Sequence, residues 1–436
     1  MDASVVAIAG DGDADAGHRH PLLASDDDEI RPYPASSPSP QHPAGAERKP
    51  RRVASLDVFR GLTVAMMILV DDAGGAWPGM NHSPWFGVTV ADFVMPAFLF
   101  IIGVSAALVF KKTPNKTVAT KKAAIRAIKL FILGVILQGG YIHGRHSLTY
   151  GIDLDHIRWL GVLQRIAIGY FLAAISEIWL VNNISVDSAI SFVKKYFMEW
   201  IVAIMISALY VGLLLGLYVS NWEFKVQTSN SILTIPTPGN EIGMKMIQCG
   251  VRGSLGPPCN AVGFVDRVLL GENHLYKNPV YKRTKECSVN SPDYGPLPPN
   301  APDWCLAPFD PEGLLSKPLY TVSYMLLTGG VSGFLLLLLY YIVDVINIKK
   351  LFILFQWMGM NALIVYVLAA CEIFPTLMQG FYWRSPENNL VDLTESLLQT
   401  IFHSKRWGTL AFVILEIIFW CLAACFLHMK GIYLKL

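Results

Sequence analysis

His82 lies in a short polar loop, Asn81-His82-Ser83, between two hydrophobic runs at Val58–Val70 and Val88–Phe110. Carboxylates stand on both flanks: Asp71 and Asp72 close the first run, and Asp92 opens the second. An imidazole changes charge near neutral pH, so it can take a proton from an attacking amine or become acylated itself. Either role needs one ring nitrogen held fixed. Asp92 and Asp71 are placed for that by sequence distance, and Asn81 is the adjacent binding candidate. A lone loop histidine is ordinarily a solvated surface residue. The acids on both sides turn this one into a catalytic candidate, with His82, Asp92 and Asp71 as its members.

Further charges sit at awkward depths. Asp57 and Arg60 open the first run three residues apart, hence on one helical face and able to pair. A charge inside a membrane helix costs about 3 kcal/mol even on lenient scales, so such residues face protein or a watery cavity and count as binding candidates. The first run has 13 residues before Asp71. At about 1.5 Å per residue that falls short of a hydrocarbon core about 30 Å thick, so one polar end must dip below the headgroups.

The elements around this hairpin are those of a membrane protein. Of 436 residues, 53% are hydrophobic and 16% charged, with a net charge of +2. No basic patch with interleaved aromatics points to nucleic acid. Eight apolar runs could span: 56–74, 88–110, 123–140, 159–181, 199–219, 319–343, 351–371 and 408–428. The expected fold is therefore an all-α polytopic membrane protein of about eight transmembrane helices with a disulfide-stapled loop segment. Residues 1–52, rich in Ala, Gly, Asp, Ser and Pro, read as a disordered cytosolic tail without a signal peptide. Residues 53–219 hold spans one to five and the His82 hairpin, 220–318 form a loop segment, and 319–436 carry the last three spans. Basic residues cluster at every second junction, near Lys111, Lys194, Lys349 and Lys430. By the positive-inside rule these and both termini face the cytosol, and the His82 loop and 220–318 do not.

Cysteine usage agrees. Four of seven cysteines, Cys249, Cys259, Cys287 and Cys305, lie in the non-cytosolic segment. An even set there reads as two disulfides, with 249–259 and 287–305 preferred because they close short loops. A zinc site is the rival reading, but no CxxC spacing supports it, and no metal is expected.

The motifs LDVFRG, NHSPWFGVTVADFVMPAFLFIIG, LDHIRWLGVLQRIAIGYF, GFVDRVLLGENHLY, FDPEGLLS and MGMNALIVY resemble, in that order, the heparan-alpha-glucosaminide N-acetyltransferase family. The resemblance runs from Ser55 to Leu436. It implies a multispanning enzyme that carries acetyl from acetyl-CoA to a glucosamine-type amine across an organelle membrane, with the catalytic histidine falling on His82. It further implies acetyl-CoA as co-substrate, an amino-sugar or glycan acceptor, a lipid bilayer and a homodimer as partners, and a vacuole- or lysosome-like endomembrane or the plasma membrane as location. Family members carry a hydrophobic hairpin after the DPEG motif. Here Ser316 runs directly into Lys317, so the chain is expected to be a divergent, plant-like member short by two spans. A solute transporter is the alternative, for which an internal repeat would be expected and none is seen; a shortened regulatory isoform is the other.

Arg158 and Arg165, seven residues apart, share a face and with Gln164 read either as a clamp for the phosphates of CoA or as interfacial side chains. Asp266, Arg267 and His274, with Tyr276, Asp310 and Glu312, read as acceptor contacts or as turns and ion pairs. Asn361, in the seventh run, reads as an interhelical hydrogen-bonding residue or a ligand contact. His143 and His146 read as solvated.

Overall fold

The first hydrophobic run becomes a helix that others surround. In the computed structural model, α1 (Ala54–Ala73) packs against α2 (Val90–Phe110) through Val58, Phe59 and Ile101. The structure describes residues 53–139 (except 75, 78, 84 and 112–114), 154–227 (except 182–187), 242–275 and 315–434 (except 386). The remaining helices are α3 (Lys116–Ile136), α4 (Val162–Trp179), the short α5 (Ala189–Lys195), α6 (Phe197–Gly216), α7 (Ala261–Leu270) and α8 (Val322–Tyr340). After these come α9 (Ile353–Met360), α10 (Ala362–Ala370), α11 (Ile373–Gln379), α12 (Leu390–Ile401) and α13 (Lys405–Met429).

Two glycines set the closest helix contact. A Cβ on Gly61 of α1 would lie 1.9 Å from the carbonyl oxygen of Phe355, and one on Gly359 of α9 would lie 1.7 Å from that of Asp57. The helices touch backbone to backbone, which only glycine allows. Around this contact Val64, Ile68, Met358, Val365, Val413 and Trp420 form a shared core of α1, α9, α10 and α13. The N-terminus of α1 has no cap of its own. Asp344, just beyond α8, accepts from the backbone nitrogens of Ala54 (3.2 Å) and Ser55 (3.0 Å), placing an anion at the positive end of the helix dipole.

Among the described residues, five helices are long and apolar enough to cross a membrane, those built on α2, α4, α6, α8 and α13, or six if the bent pair α9–α10 is one span. This falls short of the eight expected. The runs at 56–74 and 123–140 are helical, as α1 and α3, but α1 carries Asp57, Arg60, Asp71 and Asp72, and α3 carries Lys121, Lys122, Arg126 and Lys129. A helix enclosed by others, as α1 is, need not be apolar all round. The seventh run breaks at Asn361 with a bend of 70°.

The all-α expectation also needs correcting. Two antiparallel ribbons follow α6: β1 (Tyr218–Val219) with β4 (Val251–Arg252), and β2 (Trp222–Gln227) with β3 (Ile242–Ile247), in register Trp222↔Ile247. The alternation in Trp222-Glu223-Phe224-Lys225-Val226 is the strand signal that the helical reading passed over. Cys249 and Cys259 are disulfide-bonded beside these ribbons, with Cα atoms 5.4 Å apart. Cys287 and Cys305 lie outside the described residues.

Candidate active site

The site is organised by Asp92, whose side chain is wholly buried. Asp92 occupies the third position of α2, from which a carboxylate reaches back to the helix start. Its Oδ2 accepts from the backbone nitrogens of Thr89 (3.0 Å) and Ser83 (3.2 Å) and from the Ser83 hydroxyl (2.9 Å), with the Thr89 hydroxyl oxygen 3.1 Å away. So many donors on one oxygen leave Oδ1 aimed at His82 Nδ1, 2.9 Å away. Four residues on, Pro96 lacks the N–H that would bond the Asp92 carbonyl. The buried Tyr324 hydroxyl of α8 donates to that carbonyl instead. The proline and the tyrosine together fix the backbone of the acid.

Lys317 completes the cluster. Its Nζ lies 2.8 Å from His82 Nδ1 and 3.0 Å from Asp92 Oδ1. The strap that carries it is tied down by Gly87 N to Leu315 O (2.8 Å), by Ser316 N to Thr321 Oγ1 (3.2 Å) and by the Tyr210 hydroxyl on Leu319 O. Burial pushes the Lys317 ammonium below the usual lysine range; Asp92 opposes that shift and Arg165 adds to it. Sequence reasoning missed Lys317, because it stands 235 residues from His82 and in no motif of its own. The one available hint was a lysine next to an apolar run in a loop that the charge pattern puts on the His82 side.

The imidazole has two states here. If Nδ1 carries the proton it donates to Asp92, and Nε2 keeps a free lone pair; if Nδ1 is bare it accepts from Lys317. The first leaves a base pointing outward on a side chain that is 47% exposed. That is a histidine oriented by a buried carboxylate and open to substrate on its far nitrogen.

The other expected residues divide. Asn81 belongs to the loop: its side-chain oxygen accepts from His82 N at 2.7 Å, and its carbonyl from the Thr89 hydroxyl. Asp71 is exposed on the last turn of α1, within electrostatic reach of His82 and Lys317, while Asp72 faces Glu416 and Glu372. Arg165 donates to the Tyr320 hydroxyl (3.3 Å), and the Tyr320 ring sits 5.8 Å from that of Tyr324. It therefore borders the cluster. Asp57 and Arg60 pair at 3.2 Å, and Arg60 also bonds Ser105 at 2.7 Å. They sit about 20 Å down α1 from Asp71, at the opposite end. The Arg158 backbone exchanges hydrogen bonds with the Gln138 side chain. Gln164 is buried where Gly134 and Gly161 make room for it, its Nε2 without a hydrogen-bond partner among the described residues. Asn361 is buried at the α9–α10 break, and neither polar atom of its side chain has a hydrogen-bond partner among the described residues, so the interhelical bond expected of it is not formed.

In the loop segment, Arg267 stacks on Trp222 at 3.7 Å and His274 Nδ1 meets Ile157 O at 2.8 Å. Burial raises the Asp266 carboxyl, with Arg267 partly opposing. These residues hold the segment together, and the segment reaches the His82 loop through Trp85 Nε1 on Leu255 O (2.8 Å). Tyr276, Asp310, Glu312, His143 and His146 lie outside the described residues. No cluster of metal-ligating side chains occurs among the described residues.

Fold and site define a class: a multi-pass membrane protein with a carboxylate-held histidine at one end of its bundle. Residues 52–227 match the family model described as heparan-alpha-glucosaminide N-acetyltransferase, catalytic. The chain is 27% identical over 430 aligned residues to the heparan-alpha-glucosaminide N-acetyltransferase of Homo sapiens, covering 85% of this chain and 60% of the relative. Against that of Mus musculus it is 26% identical over 447 residues, 87% of this chain and 62% of the relative. The chain is similar to the heparan-alpha-glucosaminide N-acetyltransferase family, with the family model confined to residues 52–227. It spans about three fifths of the length of these relatives.

Proposed function

We propose that the chain transfers an acetyl group from acetyl-CoA to the amine of a glucosamine-type sugar, with His82 as the base. The observation that carries this is the 2.9 Å contact between His82 Nδ1 and the wholly buried Asp92; with the proton on Nδ1, Nε2 is the nitrogen left to act as base. The sugar nitrogen attacks the thioester carbonyl carbon, His82 Nε2 takes the proton released, and the sulfur leaves as thiolate. Asp92 keeps the tautomer and stabilises the imidazolium that forms. Arg165, bordering the cluster, is the cation available to an anionic part of CoA, and Asp71 and Asn81 line the approach. The similarity to that family model over residues 52–227 supports the acetyl chemistry; the names of the relatives supply the sugar.

The same reading puts the His82 loop and 220–318 on the non-cytosolic face and both termini in the cytosol, and counts α1 and α3 as the first and third of eight spans. The test is purified protein in lipid vesicles with labelled acetyl-CoA and glucosamine. Formation of labelled N-acetylglucosamine supports the proposal. Movement of sugar across the vesicle with no acetylation would favour a transporter and overturn it. A label recovered on His82 itself would replace the base role with an acetyl-histidine route.

A further inference from the structure

The acceptor in the reaction just described is an amine, and the protein holds an amine of its own against the base. Lys317 Nζ is 2.8 Å from His82 Nδ1, and His82 is oriented in turn by Asp92 at 2.9 Å. A nucleophile within hydrogen-bond reach of a base is the arrangement that activates serine, cysteine and lysine side chains elsewhere, and here Asp92 meets the same Nδ1, ready to accept from it once the proton has moved there. The Lys317 side chain is largely buried and leaves a strap whose backbone is fixed by three hydrogen bonds.

We infer that Lys317 is itself an acetyl acceptor, modified on Nζ by the acetyl thioester that enters this site. The inference rests on the acetyl-transfer reading and adds a modification site to it. In the tautomer with Nδ1 bare, Lys317 first gives one proton to His82 Nδ1, and the imidazole releases a proton to solvent from Nε2. Its Nζ lone pair then attacks the thioester carbonyl carbon; the C–N bond forms, the C–S bond breaks, and the sulfur leaves as thiolate. The second proton on nitrogen passes by way of His82 to that thiolate, so the products are an amide, a free thiol and one released proton. Burial favours the neutral amine this requires.

An amide does not return its acetyl group as an acyl-imidazole or a thioester would. The modification is therefore an end state, not an intermediate. It removes the cation facing Asp92 and fills the space beside His82 with an acetyl group, so sugar acetylation falls as Lys317 acetylation rises. Acetyl-CoA supplied without an acceptor drives the protein into this state; an acceptor in excess protects it.

The experiment incubates the full chain in lipid vesicles with isotope-labelled acetyl-CoA, with and without glucosamine. Mass mapping of the peptide containing Lys317 is set beside peptides containing the exposed Lys121 and Lys122, and sugar acetylation is measured on the same sample. The expected result is label at Lys317 well ahead of the exposed lysines, less of it when glucosamine is present, and a drop of about 10²–10⁴ in its rate in His82→Ala. The Cys249–Cys259 bond reports that this variant is folded. Sugar acetylation with Lys317 unlabelled would overturn the inference and leave the function standing. Equal label on all lysines, or label at Lys317 unchanged in His82→Ala, would also overturn it. Label at Lys317 with no acetylated sugar would uphold the inference and remove the proposed acceptor. If neither is acetylated, both readings fall.

Discussion

Replacing Asp92 by Asn changes one oxygen for an NH2 and removes the charge, with almost no change of shape. The hydrogen bonds decide which way the amide sits. Three donors, from Ser83 and Thr89, converge on Oδ2, so the amide oxygen must stay there and the NH2 must face His82 Nδ1 and Lys317. The NH2 donates to Nδ1, which forces the proton onto Nε2 and abolishes the lone pair that would take a proton from substrate. It also meets the Lys317 ammonium donor to donor. Loss of a general base is worth about 10²–10⁴ in rate, or about 2.7–5.4 kcal/mol of barrier at about 1.36 kcal/mol per tenfold. The assay is acetyl transfer to glucosamine by wild-type and variant protein matched for disulfide content. The account expects kcat to fall by that factor with KM for the sugar little changed. A variant within tenfold of wild type would refute the tautomer argument, whatever the role of His82.

Gly359→Ala places a methyl 1.7 Å from the Asp57 carbonyl oxygen, which forces α1 and α9 apart; overpacking of this kind costs about 1–3 kcal/mol, and a thermal midpoint equal to wild type would contradict the backbone contact. Cys249→Ser opens a loop of sequence separation 10 and is expected to destabilise the segment by about 2–4 kcal/mol, read as earlier proteolysis between β3 and α7. Because burial lowers the Lys317 ammonium, the amine becomes neutral, and reacts with an amine-specific reagent, at lower pH than it does in the unfolded chain; the unfolded chain binds more protons in that window, so stability contributed by this residue rises with pH toward the ordinary lysine value. An identical pH profile for Lys317 in the folded and the denatured protein would contradict it.

Much of the helical framework was legible because apolar runs longer than about 18 residues have few soluble explanations. The eight runs mark helices in the structure, yet run length could not separate an enclosed, charged helix such as α1 from a lipid-facing one such as α6. The break at Asn361 was written in Gly359 and Asn361, but hydropathy averages over such residues. The ribbons β1–β4 were hidden because a few alternating residues between spans carry little periodic signal. At the site, Asp92 could be paired with His82 because ten residues of loop and helix start hold them close. Lys317 and Tyr324 come from the far side of the chain, and only tertiary packing of α8 against α2 delivers them. Asp57 and Arg60 drew attention by their depth in the membrane, and that depth reflects pairing with each other and with Ser105 at the opposite end of α1.

The central claim, that His82 carries acetyl transfer, is tested most directly by His82→Ala in the full chain. The side chain is 47% exposed, so its loss removes its contacts with Asp92 and Lys317 but leaves the helix packing intact. With labelled acetyl-CoA and glucosamine, the account predicts a rate lower by about 10²–10⁴, with membrane insertion and the Cys249–Cys259 bond unchanged. Full activity in that variant would contradict it.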